Sequence, residues 1–297
     1  GIIRRNTCKK EKMIFVSSSC IKSKNILSVI ETLSRHGIRN IELSGGTNPI
    51  SNLEENLLKC LKEKSLNLRV HNYFPPPKED FVINIASLNN EIYAKSIEHC
   101  IKAINLSKKI GSPAYSVHAG FLIDPGVKEI GLGKILKKRS FYDENEAVEK
   151  MKKSLSILKL EAGNKIKLYV ENNVLSYSNF AKYKNNPMLL CDLASYKKLK
   201  KKIEFNLLLD IAHLKVSCNT LKKDFKKESD YLLDQTDYIH LSGNDGMEDS
   251  NKSLINDYEI QNILKSKNFK NKTLTLEIYE NIEEILNSQN YLKELIE

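Results

Sequence analysis

Phe205-Asn206-Leu207-Leu208-Leu209-Asp210-Ile211-Ala212-His213 is a short apolar run that stops on a carboxylate and is followed three residues later by an imidazole. A run of this length reads as a strand buried on both faces, as in a parallel sheet. Helical spacing takes over on either side. Leu190, Leu193, Tyr196 and Leu199 precede it, and the segment around Leu221–Leu233 follows. The same strand-then-helix unit recurs in both directions. Toward the N-terminus the expected strands are Met13–Ser17, Ile38–Leu43, Leu66–His71, Ala114–His118 and Ile166–Glu171. Toward the C-terminus they are Tyr238–Leu241 and Leu274–Ile278, with Ile282, Ile285, Tyr291, Leu292 and Leu295 closing the chain as a helix.

Eight strand–helix units in succession imply a parallel sheet, because each crossover needs a helix. In 297 residues they fit one α/β domain, a single (β/α)8 TIM barrel. An open doubly wound sheet is the competing layout, and it usually carries a glycine-rich phosphate loop after its first strand. Ser17-Ser18-Ser19-Cys20 stands there instead. Gly126 and Gly131 have the spacing of a phosphate-binding loop, but Leu132 follows where lysine is required. Residues 1–12 read as a basic lead or an appended remnant, with Met13 a candidate start, and residues 13–297 as the barrel domain.

Composition narrows the class. Hydrophobic residues at 41% and charged residues at 28% are ordinary for a globular protein and exclude collagen-like and disordered chains. No apolar run approaches the ~20 residues of a membrane span, so no membrane partner is expected. The six cysteines are scattered without a C-x-x-C pair, which reads as free thiols in a reducing, cytoplasmic setting and excludes a cysteine-based zinc ribbon. The net charge of +10 can advertise a polyanion. Arginine supplies only six of the 47 basic residues, however, and nucleic-acid grooves favour arginine for bidentate contacts. A lysine- and asparagine-rich composition is the plainer reading, and a nucleic-acid partner is not expected.

The acids and histidines carry the chemistry. His71 and His118 end the third and fourth strands, His213 lies just past the sixth, and His240 lies in the seventh. Glu171 and Asp210 each close a run of three apolar residues, and Glu277 follows Leu274-Thr275-Leu276. In a barrel the C-terminal strand ends converge on one mouth, where active sites sit. Any one of these is more often a hydrogen-bonded structural residue. As a set, buried carboxylates would cost several kcal/mol each without cations. A divalent ion offsets that cost, and a mixed imidazole and carboxylate set suits Zn, Mn, Fe or Co better than Ca. The remaining histidines, His36 and His99, lie on helices and carry no such case.

The motifs His71-Asn-Tyr-Phe-Pro-Pro-Pro, Ser-Val-His118-Ala-Gly, Val-Glu171-Asn-Asn, Leu-Asp210-Ile-Ala-His213, Ile-His240-Leu-Ser-Gly-Asn-Asp245-Gly and Leu-Glu277-Ile-Tyr resemble the xylose isomerase-like barrel superfamily. Within it they resemble the sugar phosphate isomerase/epimerase branch, related to endonuclease IV, over nearly all of the chain from Met13. The resemblance implies a metal held by Glu171, Asp210, His240 and Glu277, with Glu171 and Glu277 as the proton-transferring pair and His213 on the substrate. Endonuclease IV uses further ligands that match His71, His118 and His213, and an Asp-x-His after the seventh strand. Here that motif is Asp249-Ser-Asn251, so a full three-metal site is not expected.

Two functions follow from the resemblance. One is a divalent-metal-dependent isomerase or epimerase acting on a sugar or sugar phosphate. The other is an endonuclease IV-like phosphodiesterase at abasic DNA, for which Tyr73-Phe74, stiffened by Pro75–Pro77, would be the wedge. Lys215 and the long Ala119–Tyr142 loop, with Lys134, Lys137, Lys138 and Arg139, suggest an anionic small-molecule substrate and a lid. A solvated loop is the bland alternative. Family barrels often pair, so a homodimer is an open expectation.

Overall fold

The computed structural model describes residues 13–296. The basic lead at 1–12, with Cys8, lies outside them. Eight parallel strands close in sequence order: β1 Ile14–Ser17, β2 Asn40–Leu43, β3 Asn67–His71, β4 Ala114–His118, β5 Lys167–Glu171, β6 Asn206–Asp210, β7 Tyr238–Leu241 and β8 Thr273–Leu276. β8 pairs back onto β1 through Ile14 and Leu274, so no sheet edge is left. The strands start one or two residues away from several of the expected limits. β8 stops at Leu276, which puts Glu277 just beyond the strand rather than inside it.

Alternation along each strand sorts the residues. Outward-facing Val16, Ile41, Val70, Val117, Val170, Leu209, Ile239 and Leu274 join the helices in the main core. Inward-facing Ala114, Tyr169, Leu208 and Tyr238 fill the lower barrel. Arg69 lies among them, its guanidinium 4.5 Å from the Tyr238 ring centre and 5.1 Å from that of Phe15. One layer higher, the same inward phase presents Glu42, His71, Ser116, Glu171, Asp210, His240 and Thr275, all buried. The main apolar core is therefore outside the barrel wall, with a smaller apolar cluster inside the lower barrel and the polar layer above it.

Helices cover the wall, and their starts are written in the sequence. Asn25, Asn89, Asp143, Ser176, Asp192, Asp210 and Asp224 each cap the following helix with a side-chain oxygen. Asp210 thus has two tasks: one oxygen accepts from His213 N at 2.7 Å, and the other faces the barrel mouth. A short helix at Tyr177–Tyr183 was not expected from spacing. Among the described residues the five cysteines are free, and no helix is long and apolar enough to cross a membrane.

Residues 119–142 form a roof over the barrel mouth. Buried Asn84 pins its start, donating to Phe121 O at 3.2 Å, Ile123 O at 3.0 Å and Asp124 Oδ1 at 2.7 Å. Phe121, Ile123 and Leu136 pack with Val82, Leu175 and Met188 in a satellite cluster. Arg139 grips Glu129 with two bonds, 2.7 and 2.9 Å, and Leu136 N donates to Asn179 Oδ1 at 2.9 Å.

Candidate metal centre

Glu171 is the hub of the polar layer. Its Oε2 lies 3.2 Å from His71 Nε2 and 3.1 Å from His118 Nε2. Its Oε1 lies 3.5 Å from His240 Nδ1 and 3.7 Å from His213 Nδ1. The register explains this gathering, since His118 pairs with Glu171 across β4–β5 and Asp210 with His240 across β6–β7. Both oxygens of Glu171, Oδ2 of Asp210 and both nitrogens of His240 are buried without an aligned hydrogen bond. A native interior seldom leaves so many polar atoms unmatched at one point. Such a donor set is what a divalent ion would satisfy.

Three overlapping groups bring ligand atoms within 4.8 Å of one another: Glu171, Asp210 and His240; His71, His118 and Glu171; and Glu42, His71, His240 and Glu277. Three of the four ligands implied by resemblance therefore meet in one group. The fourth, Glu277, falls in the adjoining one, with its Oε2 3.7 Å from His240 Nδ1.

Electrostatics follow from the same geometry. Burial opposes ionisation of Glu171, but His118, His71 and His240 together outweigh it and hold the carboxyl well below the usual range. Burial likewise opposes ionisation of Glu277, and His240 pulls it down to about 2. Asp210 goes the other way, to about 7, because burial is reinforced by the nearby Asp249 and Glu171 carboxylates. Burial disfavours charge on His213, yet Asp210 and Asp249 raise it well above the normal imidazole range. His118 is pushed down to about 4, chiefly by burial.

Neighbours fix how the imidazoles point. His71 Nδ1 is bonded to Ser116 Oγ at 2.7 Å, leaving Nε2 toward Glu171. His213 Nδ1 donates to the Asn172 carbonyl at 2.9 Å, leaving Nε2 for Asp249 Oδ2 at 3.1 Å. His240 Nε2 lies 2.8 Å from Glu42 Oε1, and Thr275 Oγ1 donates to Glu42 Oε2 at 3.0 Å. Glu42 was not singled out from sequence. Its signal was a carboxylate between Ile41 and Leu43 in a fully buried strand, in the phase that points inward.

The structure uses other expected residues differently. Lys215 is buried on the helix after β6, where it bonds Asn244 O at 2.8 Å and both oxygens of Asp257 at 2.9 Å. It is a structural ion pair that does not line the cavity. Arg139 is committed to Glu129, and of the four loop cations only Lys134 lines the cavity. Phe74 is fully buried, and Tyr73 Oη accepts from Ile83 N at 3.0 Å, so neither projects as a wedge. Asn251 is buried beside Asp249 at the cavity wall.

Above the cluster lies a cavity of about 900 Å³. His71, His118, His213, Asp249 and Glu277 form its polar floor, whereas Glu171, Asp210 and His240 sit beneath them.

The comparisons agree with this architecture. A D-tagatose 3-epimerase-like protein superposes with a TM-score of 0.69 at 18% identity, covering 96% of this chain and 97% of that one. A 3-keto-D-glucoside 4-epimerase from E. coli gives 0.63 at 13%, covering 95% and 98%. Endonuclease IV from Thermus thermophilus gives 0.61 at 14%, covering 96% and 98%. At such identities the likeness shows the fold. A search among curated protein sequences gives no match. The family profile described as xylose isomerase-like TIM barrel matches residues 30–295, and on that match, with the closed eight-strand barrel, the chain belongs to this family.

Proposed function

We propose that the protein is a divalent-metal-dependent isomerase or epimerase acting on a sugar or sugar derivative. The observation that carries this reading is the roofed cavity directly over a buried, under-satisfied cluster of acids and imidazoles. Its volume lies within the range of pockets that enclose small molecules, about 300–1,000 Å³. Glu171, Asp210 and His240 would hold the ion, and Glu277 would join from the cavity side. When bound, the cation supplies Lewis acidity toward a carbonyl oxygen.

The chain's own residues supply the rest. Glu277 reaches the cavity and is ionised at neutral pH, so its carboxylate can take a carbon-bound proton from a substrate above it and return it. Glu171 lies one layer down, where it orders the four imidazoles around it. His213 has both nitrogens committed, Nδ1 to Asn172 O and Nε2 to Asp249 Oδ2, so it fixes the Asp249 carboxylate at the cavity floor. Residues of the roof line one side of the cavity and would limit loss of a proton in transfer to solvent.

The test is exchange of substrate carbon-bound hydrogen with heavy water over a panel of aldoses, ketoses and their phosphates, with metal content measured in parallel. Glu277→Gln is expected to abolish exchange while retaining most of the metal. Glu171→Gln is expected to abolish exchange and lose part of the metal. Full exchange in both variants would sink the assignment.

One observation favours a second reading. His71, His118 and Asp249 exceed what a single ion needs, as a phosphodiesterase with two ions would require. The roof and the buried Phe74 favour a small substrate over a duplex. Salt-sensitive nicking of an abasic duplex would reverse that preference.

A further inference from the structure

We infer that the natural substrate is a sugar joined through an anionic phosphate link to an apolar or aromatic group. The inference rests on the isomerase reading of the same site and names the class of molecule that fits it. Three features of the cavity converge on this. The first is size. At about 900 Å³ the chamber approaches the upper end for enclosed ligands, and a hexose over the polar floor leaves most of it vacant. The second is the division of its lining. Besides the polar floor it holds Ile21, Val82, Phe121, Leu132 and Met188, so part of it suits a ring system or an alkyl chain rather than a second hydrated sugar.

The third is charge. Lys22 and Lys24 follow β1, and Lys134 comes from the roof, so cations from two separate segments line one chamber. None of the three has a carboxylate within 4.0 Å among the described residues, although many of the chain's other lysines are paired. Lys24 Nζ makes one bond, to Gly46 O at 3.3 Å. Of the cavity's acids outside the floor, Glu129 is neutralised by Arg139, leaving Glu248 on the β7 loop. Exposed ammonium groups without carboxylate partners, lining the same cavity as the polar floor and the apolar side chains, are what a phosphate or diphosphate bridge requires.

The chemistry has two sources, a nucleoside diphosphate sugar or a lipid-linked sugar, and binding measurements separate them. Metal-loaded protein is titrated by calorimetry with glucose, galactose and N-acetylglucosamine. The same sugars follow as 1-phosphates, as uridine diphosphate conjugates and as phosphate-linked octyl conjugates. At least one conjugated series should bind more tightly than both the free sugar and the 1-phosphate, and the tighter series names the source. Lys24→Ala and Lys134→Glu should each weaken that binding by about tenfold or more while leaving free-sugar binding unchanged. Rising salt should weaken it too. Conjugates that bind no better than free sugars, or lysine variants that bind conjugates like the wild type, overturn the inference. Hydrogen exchange is scored separately. Conjugate binding without exchange on any sugar refutes the isomerase reading alone, and exchange on free sugars with lysine-independent binding refutes this inference alone.

Discussion

Glu42→Gln isolates the contribution of one buried charge to the metal centre. Glu42 and His240 are both fully buried, with Oε1 and Nε2 2.8 Å apart, and Thr275 holds the second carboxylate oxygen. The two atoms are close without being aligned for a hydrogen bond, so Glu42 acts on His240 through charge, while Nδ1 is directed at Glu171 and Glu277. Glutamine preserves shape, so the change removes charge and little volume. Losing the equivalent of about one pKa unit of favourable interaction with the imidazole costs about 1.4 kcal/mol. Removing such a partner from a ligating histidine typically weakens metal binding by about 10–100-fold, or about 1.4–2.7 kcal/mol. The two figures meet at about tenfold. Glu42→Ala adds an unpaired histidine, an unpaired threonine and a void, and should cost about 3–5 kcal/mol. Competition against a chromophoric chelator reads the affinity, and thermal melting of metal-free protein checks the fold. Metal affinity in a folded Glu42→Gln protein indistinguishable from wild type would refute the reasoning, since His240 would then not depend on its partner.

Other perturbations probe the loops and the ion. Gly243→Ala places a Cβ 2.5 Å from the Ser253 carbonyl oxygen, where Gly243 and Lys252 exchange backbone bonds at 2.7 and 2.8 Å; it should destabilise by about 1–3 kcal/mol, read by chemical denaturation. Arg139 holds the Glu129 carboxyl down to about 2, against about 4.3 for a free glutamate. A depressed acid stabilises the fold above its unfolded value and loses that contribution as pH falls through the folded one. The roof should therefore resist proteolysis from neutral pH to about 4 and loosen below it, whereas Arg139→Ala should be cut within residues 126–140 already at pH 7. Chelation should lower the melting temperature, because ion at 100 times its Kd contributes about 2.7 kcal/mol; an unchanged melting curve after verified metal removal would argue against a bound ion.

The barrel was legible because each unit repeats one pattern, a short apolar run and then helical spacing. Both faces of a parallel strand are apolar, so most positions hide which side faces in. The polar exceptions reveal it: His71, His118, Glu171 and Asp210 were readable because they stand at the ends of such runs, and His240, inside its strand, through the motif around it. Glu42 was not, since it lies before Leu43 and looks like a flaw in the pattern. Lys215 misled because its partner Asp257 lies 42 residues away in sequence. The cations of the roof were visible as a cluster, but the Glu129–Arg139 pairing depends on how the loop folds back, which spacing does not encode.

The central claim is that Glu171, Asp210 and His240 share one divalent ion. Anomalous diffraction from crystals of protein purified without chelators, recorded across the absorption edges of Zn, Fe, Co and Mn, tests it directly. The account predicts a peak about 2.0–2.2 Å from a Glu171 oxygen, an Asp210 oxygen and His240 Nδ1. A map without a peak among those three side chains, in protein to which metal has been added in excess, would contradict it.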